Sequence, residues 1–155
     1  MDKPRKDPIV IAHRGACGYL PEHTLAAKAL AYAMGADYLE QDVVMTRDGV
    51  PIVLHDIHLQ TTTDVAKLFP GRAREDGHYY AVDFDLAEIR QLRAHERSEA
   101  NDEGGEQAVF PDRYPLNEGF FGIPTLAEEI DMVAGLDRSR GTRTGLYIEL
   151  KSPNW

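Results

Sequence analysis

The sequence predicts an α/β fold built on parallel strands, and three observations predict it. Short apolar runs such as "PIVIAH" (8–13) and "ADYLEQDVVM" (36–45) alternate with segments of helical spacing. Capping signals precede those helices, and turn signals separate strands that adjoin directly. At 155 residues, 43% hydrophobic and 28% charged, the chain is long enough for one globular domain with a core of its own.

"PIVIAH" is apolar up to its histidine, the pattern of a strand that a parallel sheet buries on both faces. A loop containing Gly and Pro follows. "TLAAKALAYAMG" (24–35) then reads as a helix, with Thr24 as N-cap, Leu25, Ala29, Tyr32 and Ala33 near helical spacing, and Gly35 as the stop. With "ADYLEQDVVM" as the next strand, residues 8–45 form a β-α-β unit whose crossover is expected to be right-handed. "TRDG" (46–49) is a turn signal and "VPIVLHD" (50–56) a further strand, so 43–55 reads as a hairpin closed by Asp48-Gly49. From 57 to about 120 the order weakens into a polar, aperiodic excursion, broken by one helix, "DLAEIRQLR" (85–93), with Asp85 and Glu88 at capping-box spacing. "TLAEEIDMVAGL" (125–136) is a helix with Thr125 and Glu128 as its capping box, and "GLYIELK" (145–151) is a last strand. The pattern ends after a strand without the helix that would cover it, which reads as a partial domain over 1–155.

Composition narrows the function. Seventeen basic against 26 acidic residues give a formal charge of -9, which argues against nucleic-acid or anionic-membrane binding, and an anionic substrate would need local cationic help. The single cysteine, Cys17, cannot form an internal disulfide and reads as a small buried side chain without a catalytic role. No run approaches the roughly 18 apolar residues of a membrane span, and "MDKPRKDP" lacks the apolar core of a secretory signal. The chain as given reads as soluble, with its compartment open.

Three strand ends carry the candidate chemistry. Glu40 and Asp42 stand at i and i+2 on one strand, so both carboxylates leave the same face of an otherwise buried run. Such a pair repels unless a proton or a cation intervenes, and an all-oxygen set suits calcium or magnesium; solvated carboxylates on an exposed edge are the alternative. With Asp48-Gly49 as a two-residue turn, Asp42 falls directly across from His55 on the same face, whereas a three-residue loop would point His55 away. His13-Arg14-Gly15 ends the first strand, where the ligand mouth of a parallel barrel or open sheet lies. Gly15 lets backbone approach a ligand, Arg14 offers a fork of donors to an anion, and His13 exchanges a proton near neutral pH. Glu149 and Lys151 share a face near the end of the last strand, where an intrastrand salt bridge explains them equally well.

These residues resemble a known family. "AHRG" (12–15), "PEHTL" (21–25), "GADYLEQDV" (35–43), "TRDGVPIVLHD" (46–56) and "YIELK" (147–151) are similar, in order and spacing, to the N-terminal part of a glycerophosphodiester phosphodiesterase, a TIM-barrel domain. "DVAKLFPGRAREDGHYYAVDF" (64–84) resembles the periplasmic bacterial branch, in which a long insertion follows His55; here it covers about 57–120. The resemblance implies metal-dependent hydrolysis of glycerophosphodiesters to glycerol 3-phosphate and an alcohol. It implies His13 and His55 as the acid and base pair, and Glu40, Asp42 and Glu149 as ligands of a divalent cation, calcium in the closest branch. Arg14 and Lys151 would meet the phosphate. His23 fits a loop in which asparagine is also common and is assigned to holding that loop and the helix start, while His58, His78 and His95 are assigned to the surface.

Two departures accompany the resemblance. Where the family commonly has an Asp-Arg pair after the His55 loop, this chain has Gln60-Thr61, which would loosen the loop if that pair braces it. The family barrel has eight strands and this chain carries about the first half, so exposed sheet edges would invite self-association. A truncated, non-catalytic fragment is therefore the rival expectation. A related phospholipase on the same barrel is the third, and the insertion argues against it.

Overall fold

β1 (Ile11–Ala12), α1 (Leu25–Ala33), β2 (Tyr38–Met45) and β3 (Pro51–Val53) follow one another in a computed structural model that describes residues 8–152. After β3 come α2 (Val65–Leu68), a 3-10 turn (Ala81–Asp83), α3 (Leu86–Ile89) and a short hairpin, β4 (Ser98–Ala100) with β5 (Glu106–Ala108). α4 (Leu126–Arg140) and β6 (Gly145–Leu150) complete the order.

β2 is the centre of the sheet. β6 pairs with it in parallel from Tyr38↔Gly145 to Val43↔Leu150. Along the other edge, β1 pairs in parallel at Ile11↔Tyr38 and β3 antiparallel at Val43↔Val53. Leu39 through Val44 are buried, as a strand covered on both faces requires. β1 departs from that expectation. Only two residues pair, and Ile9, Val10 and Ile11 are 60%, 52% and 47% exposed, because among the described residues β1 has a neighbour on one side alone. An apolar run shows that burial is favourable but not which side supplies it.

The helices start where their caps predict. The Thr24 hydroxyl accepts the Ala27 N–H at 3.2 Å, and α1 buries Ala27, Lys28, Ala31 and Tyr32. Ala31 and Tyr32 meet Leu39 of β2 and Val133 of α4, which fastens the β1-α1-β2 unit to the α4-β6 unit. At α4 the capping box closes both ways, Glu128 N–H to the Thr125 hydroxyl at 3.1 Å and Thr125 N–H to Glu128 at 2.8 Å. α4 runs one turn past the apolar spacing, to Arg140. Asp137 holds its end by accepting from the Thr142 hydroxyl and the Thr144 amide.

The hairpin register differs from expectation by one residue. Val43 pairs with Val53, so Asp42 falls across from Leu54, whose amide donates to the Asp42 carbonyl at 3.0 Å. The cause is a three-residue loop, 47–49. Thr46 N–H bonds to the Val50 carbonyl at 3.0 Å, the Thr46 hydroxyl accepts the Val50 amide at 2.9 Å, and Gly49 takes φ +78°, a conformation glycine adopts without strain.

The excursion also differs from its polar reading. Leu59, Val65, Tyr79, Phe84, Ile89 and Leu92 form a core with Val44, Ile52 and Leu54 of the hairpin. The expected helix shortens to α3, with the Glu88 carboxylate accepting the Asp85 N–H at 2.9 Å, because the chain then extends to pair with the segment after His55: His95 N–H to the Thr62 carbonyl and Ser98 N–H to the Thr61 carbonyl, both at 2.9 Å. That pairing buries His95 to 4% exposure instead of leaving it on the surface.

Candidate active site

The turn after β1 is built around close approach. Arg14 takes φ +58° and Gly15 φ +80°, and a Cβ on Gly15 would lie 2.9 Å from the Ala27 carbonyl carbon of α1. This geometry aims the Arg14 amide at Glu40 Oε2, 2.6 Å away. His13 stands exposed at the mouth, near enough for its charge to act on the Glu40 carboxylate. The Cys17 thiol, half-buried rather than buried as expected, lies 3.4 Å from the His13 carbonyl.

Glu40 and Asp42 leave the same face of β2, at 4% and 1% exposure. Burial raises the Glu40 pKa, the Arg14 amide opposes that, and the Asp42 charge adds to the rise. Burial would raise Asp42 too, yet hydrogen bonds from His23 and Lys151 outweigh it and hold Asp42 below the usual carboxylate range. His23 Nε2 lies 2.9 Å from Asp42 Oδ2, and Lys151 Nζ 3.0 Å from Asp42 Oδ1. Burial pushes His23 down to about 4 against the pull of Asp42, so near neutral pH its Nε2–H donates to the carboxylate.

His23 therefore does more than shape its loop. It takes φ +61°, and one donor atom from each of His23, Glu40 and Asp42 lies within 4.8 Å of the others, a group able to hold a cation. Glu149 is the β6 partner of Asp42 in the sheet register and shares its face, but its side chain is 54% exposed and bonded to Lys151. Lys28, in the middle of α1, is fully buried behind this face: its ammonium donates to the Glu40 carbonyl and lies 3.3 Å from Glu129 of α4.

His55 reaches the site despite the shifted register. β3 ends at Val53, the backbone turns, and His55 comes near enough to Asp42 to favour its ionised form. His55 Nδ1 lies 2.5 Å from Asp56 Oδ1. A carboxylate only accepts, so Nδ1 carries the proton and Nε2 is the nitrogen left for chemistry. Asp56 Oδ2 also receives the Thr61 hydroxyl at 2.7 Å and Arg97 at 2.6 Å. Arg97 reaches Glu22 at 2.7 Å, and Glu22 receives Arg14 at 3.2 Å. The loop that Gln60-Thr61 was expected to loosen is thus held by Thr61 and Arg97.

Sequence reasoning did not single out Glu22, Lys28, Asp56 or Arg97. Glu22 and Asp56 each adjoin a histidine that it named, which was an available signal. Arg97 stands 75 and 41 residues from its two partners, and no local pattern marks such a residue.

Imidazoles, carboxylates, a guanidinium and an ammonium thus gather on one face of β2 beside the ends of β1, β3 and β6, an arrangement suited to a cation and an anionic phosphodiester together. The model of the Glycerophosphoryl diester phosphodiesterase family matches residues 13–155. A glycerophosphodiester phosphodiesterase of Haemophilus influenzae is 52% identical over 96% of this chain, and one of Treponema pallidum is 43% identical over 94%. The chain spans 41% and 40% of those relatives' lengths. Among solved structures, an Oleispira antarctica phosphodiesterase in complex with the product sn-glycerol-3-phosphate superposes with a TM-score of 0.60 at 31% identity, covering 93% of this chain and 44% of that one.

Proposed function

The chain belongs to the glycerophosphoryl diester phosphodiesterase family, and from that premise we propose that its site hydrolyses glycerophosphodiesters to glycerol 3-phosphate and an alcohol, with a divalent cation. The fold is the opening part of that family's TIM barrel, with β1, β2 and β6 as its parallel strands. One observation carries the reading: two buried carboxylates on one strand face, with His55 and His13 beside them at the strand ends.

Glu40 and Asp42 fit a hard cation: burial first, and the Asp42 charge in addition, raise the Glu40 pKa, and a positive ion beside the two carboxylates relieves both. With Glu149, the β6 partner of Asp42, as the third carboxylate, the all-oxygen set suits calcium or magnesium, and calcium is the ion the family resemblance implies. When bound there, such an ion would neutralise charge on the phosphodiester oxygens. The protein's own groups supply the rest. His23 orients Asp42 through Nε2–H. Arg14 and Lys151 are the cations at the mouth and offer donors to the remaining phosphate oxygens. His55, fixed by Asp56 with Nε2 free, takes the proton from the attacking oxygen, and exposed His13 gives one to the leaving alcohol. This activity would belong to glycerophospholipid breakdown.

The test is glycerol 3-phosphate release from glycerophosphocholine by the full chain, with calcium and with a chelator. We expect cation-dependent release, reduced by roughly 100-fold or more in His13→Ala and His55→Ala. Folded chain that releases nothing, or release indifferent to the chelator and both substitutions, would reject the proposal.

A further inference from the structure

Two carboxylates from two different loops converge on one guanidinium that neither loop supplies. Arg97 comes from the excursion, and its backbone is fixed beside the His55 loop by the pairing of His95 and Ser98 with Thr62 and Thr61. One terminal nitrogen donates to Asp56 Oδ2 at 2.6 Å and the other to Glu22 Oε1 at 2.7 Å. Asp56 holds His55 Nδ1, and Glu22 holds Arg14. Arg14 Nε in turn lies 3.9 Å from Asp42. The charges therefore alternate from Asp42 through Arg14, Glu22 and Arg97 to Asp56, the carboxylate that holds His55.

A guanidinium is planar, and its two terminal nitrogens are a fixed distance apart, so bonding one carboxylate with each sets the spacing of the two loops. A lysine at the same place would present a single point charge and could not set that spacing. We infer that Arg97 is a positioning residue: it fixes Asp56, and through Asp56 the Nδ1-protonated form of His55, while its other end fixes Glu22 and hence Arg14. The inference deepens the hydrolase reading and rests on it for the role of His55, although the tautomer it fixes is observable without turnover. It also gives the excursion a part in the site, through one side chain that closes the gap between the loop before α1 and the loop after β3.

The experiment is nitrogen-15 NMR of the histidine side chains in the full chain, comparing the native protein with Arg97→Lys and Arg97→Ala. Loss of signals in His55→Gln identifies His55, and Arg93→Ala, which removes a guanidinium stacked on Phe120, is the control. We expect one protonated and one bare nitrogen on His55 in the native chain and in the control, and exchange between the two tautomers in both Arg97 variants. Where turnover is measured, kcat should fall roughly tenfold to a hundredfold, with Arg97→Lys restoring little of it. If Arg97→Ala does not fold, Arg97→Lys decides, since it keeps the charge and loses only the fork. An unchanged His55 tautomer in a folded Arg97 variant would overturn the inference. Absence of turnover in the native chain would count against the hydrolase reading instead, and the tautomer comparison would still stand.

Discussion

Replacing Lys28 by methionine removes an ammonium from a fully buried place. Lys28 and Glu129 are both fully buried, 3.3 Å apart. Burial lowers the Lys28 pKa and raises that of Glu129, each held back by the charge of the other. At that separation the attraction is about 5 kcal/mol for an effective dielectric near 20, comparable with the cost of desolvating the two groups. The pair is therefore near balance as a whole, and either half alone is costly. In Lys28→Met, Glu129 stays buried, with Oε2 already lacking a hydrogen-bond partner among the described residues, and the Glu40 carbonyl loses its donor. We expect a loss of about 3–5 kcal/mol. For a slope near 2 kcal/mol per molar urea, the unfolding midpoint followed by circular dichroism should fall by about 2 M. Glu129→Leu alone should cost a similar amount, while the double variant should return to within about 1 kcal/mol of the native chain. A Lys28→Met midpoint within about 0.5 M of native, or a double variant as unstable as the two losses added, would mean that the buried Lys28–Glu129 pair is not balanced in this way.

Gly15→Ala forces a Cβ against the Ala27 carbonyl at φ +80° and should cost about 1–3 kcal/mol in thermal unfolding. Thr125→Ala removes the hydroxyl that caps α4 and should cost about 1 kcal/mol, with Thr125→Ser close to native. Burial would raise Glu22 and Asp56, but hydrogen bonds from Arg97, joined by Arg14 at Glu22 and Thr61 at Asp56, hold both below their ordinary 4.5 and 3.8. Groups depressed on folding contribute stability above those ordinary values and lose it as pH falls through the folded ones. The urea midpoint should therefore drop on acidification below about pH 4, more steeply for the native chain than for Arg97→Lys.

Features set by neighbours in the chain were legible in the sequence. The caps Thr24 and Thr125 with Glu128 are local hydrogen-bonding decisions and both formed, and at α3 Glu88 accepts the Asp85 amide. The shared face of Glu40 and Asp42 follows from the two-residue period of a strand, which tertiary packing does not alter. The hairpin register was less secure, because a turn one residue longer, stabilised by the Thr46 side chain, moves every cross-strand partner. His55 still arrived near Asp42 because β3 ends before it, so the right neighbourhood followed from a register that was off by one. Nothing near Lys28 in sequence shows that Glu129, about a hundred residues on, is buried against it. The same distance hid Arg97, and the core of the excursion was hidden because its apolar residues pack across loops instead of along one face.

Calorimetric titration of calcium into the chain reads out directly the cation proposed for Glu40 and Asp42, on the β2 face beside the ends of β1 and β6. A saturable site is expected in the native chain, lost in Asp42→Asn and weakened in Glu40→Gln, with Thr125→Ala unaffected. Equal binding heats in the native chain and Asp42→Asn, or no binding by the folded native chain, would contradict it.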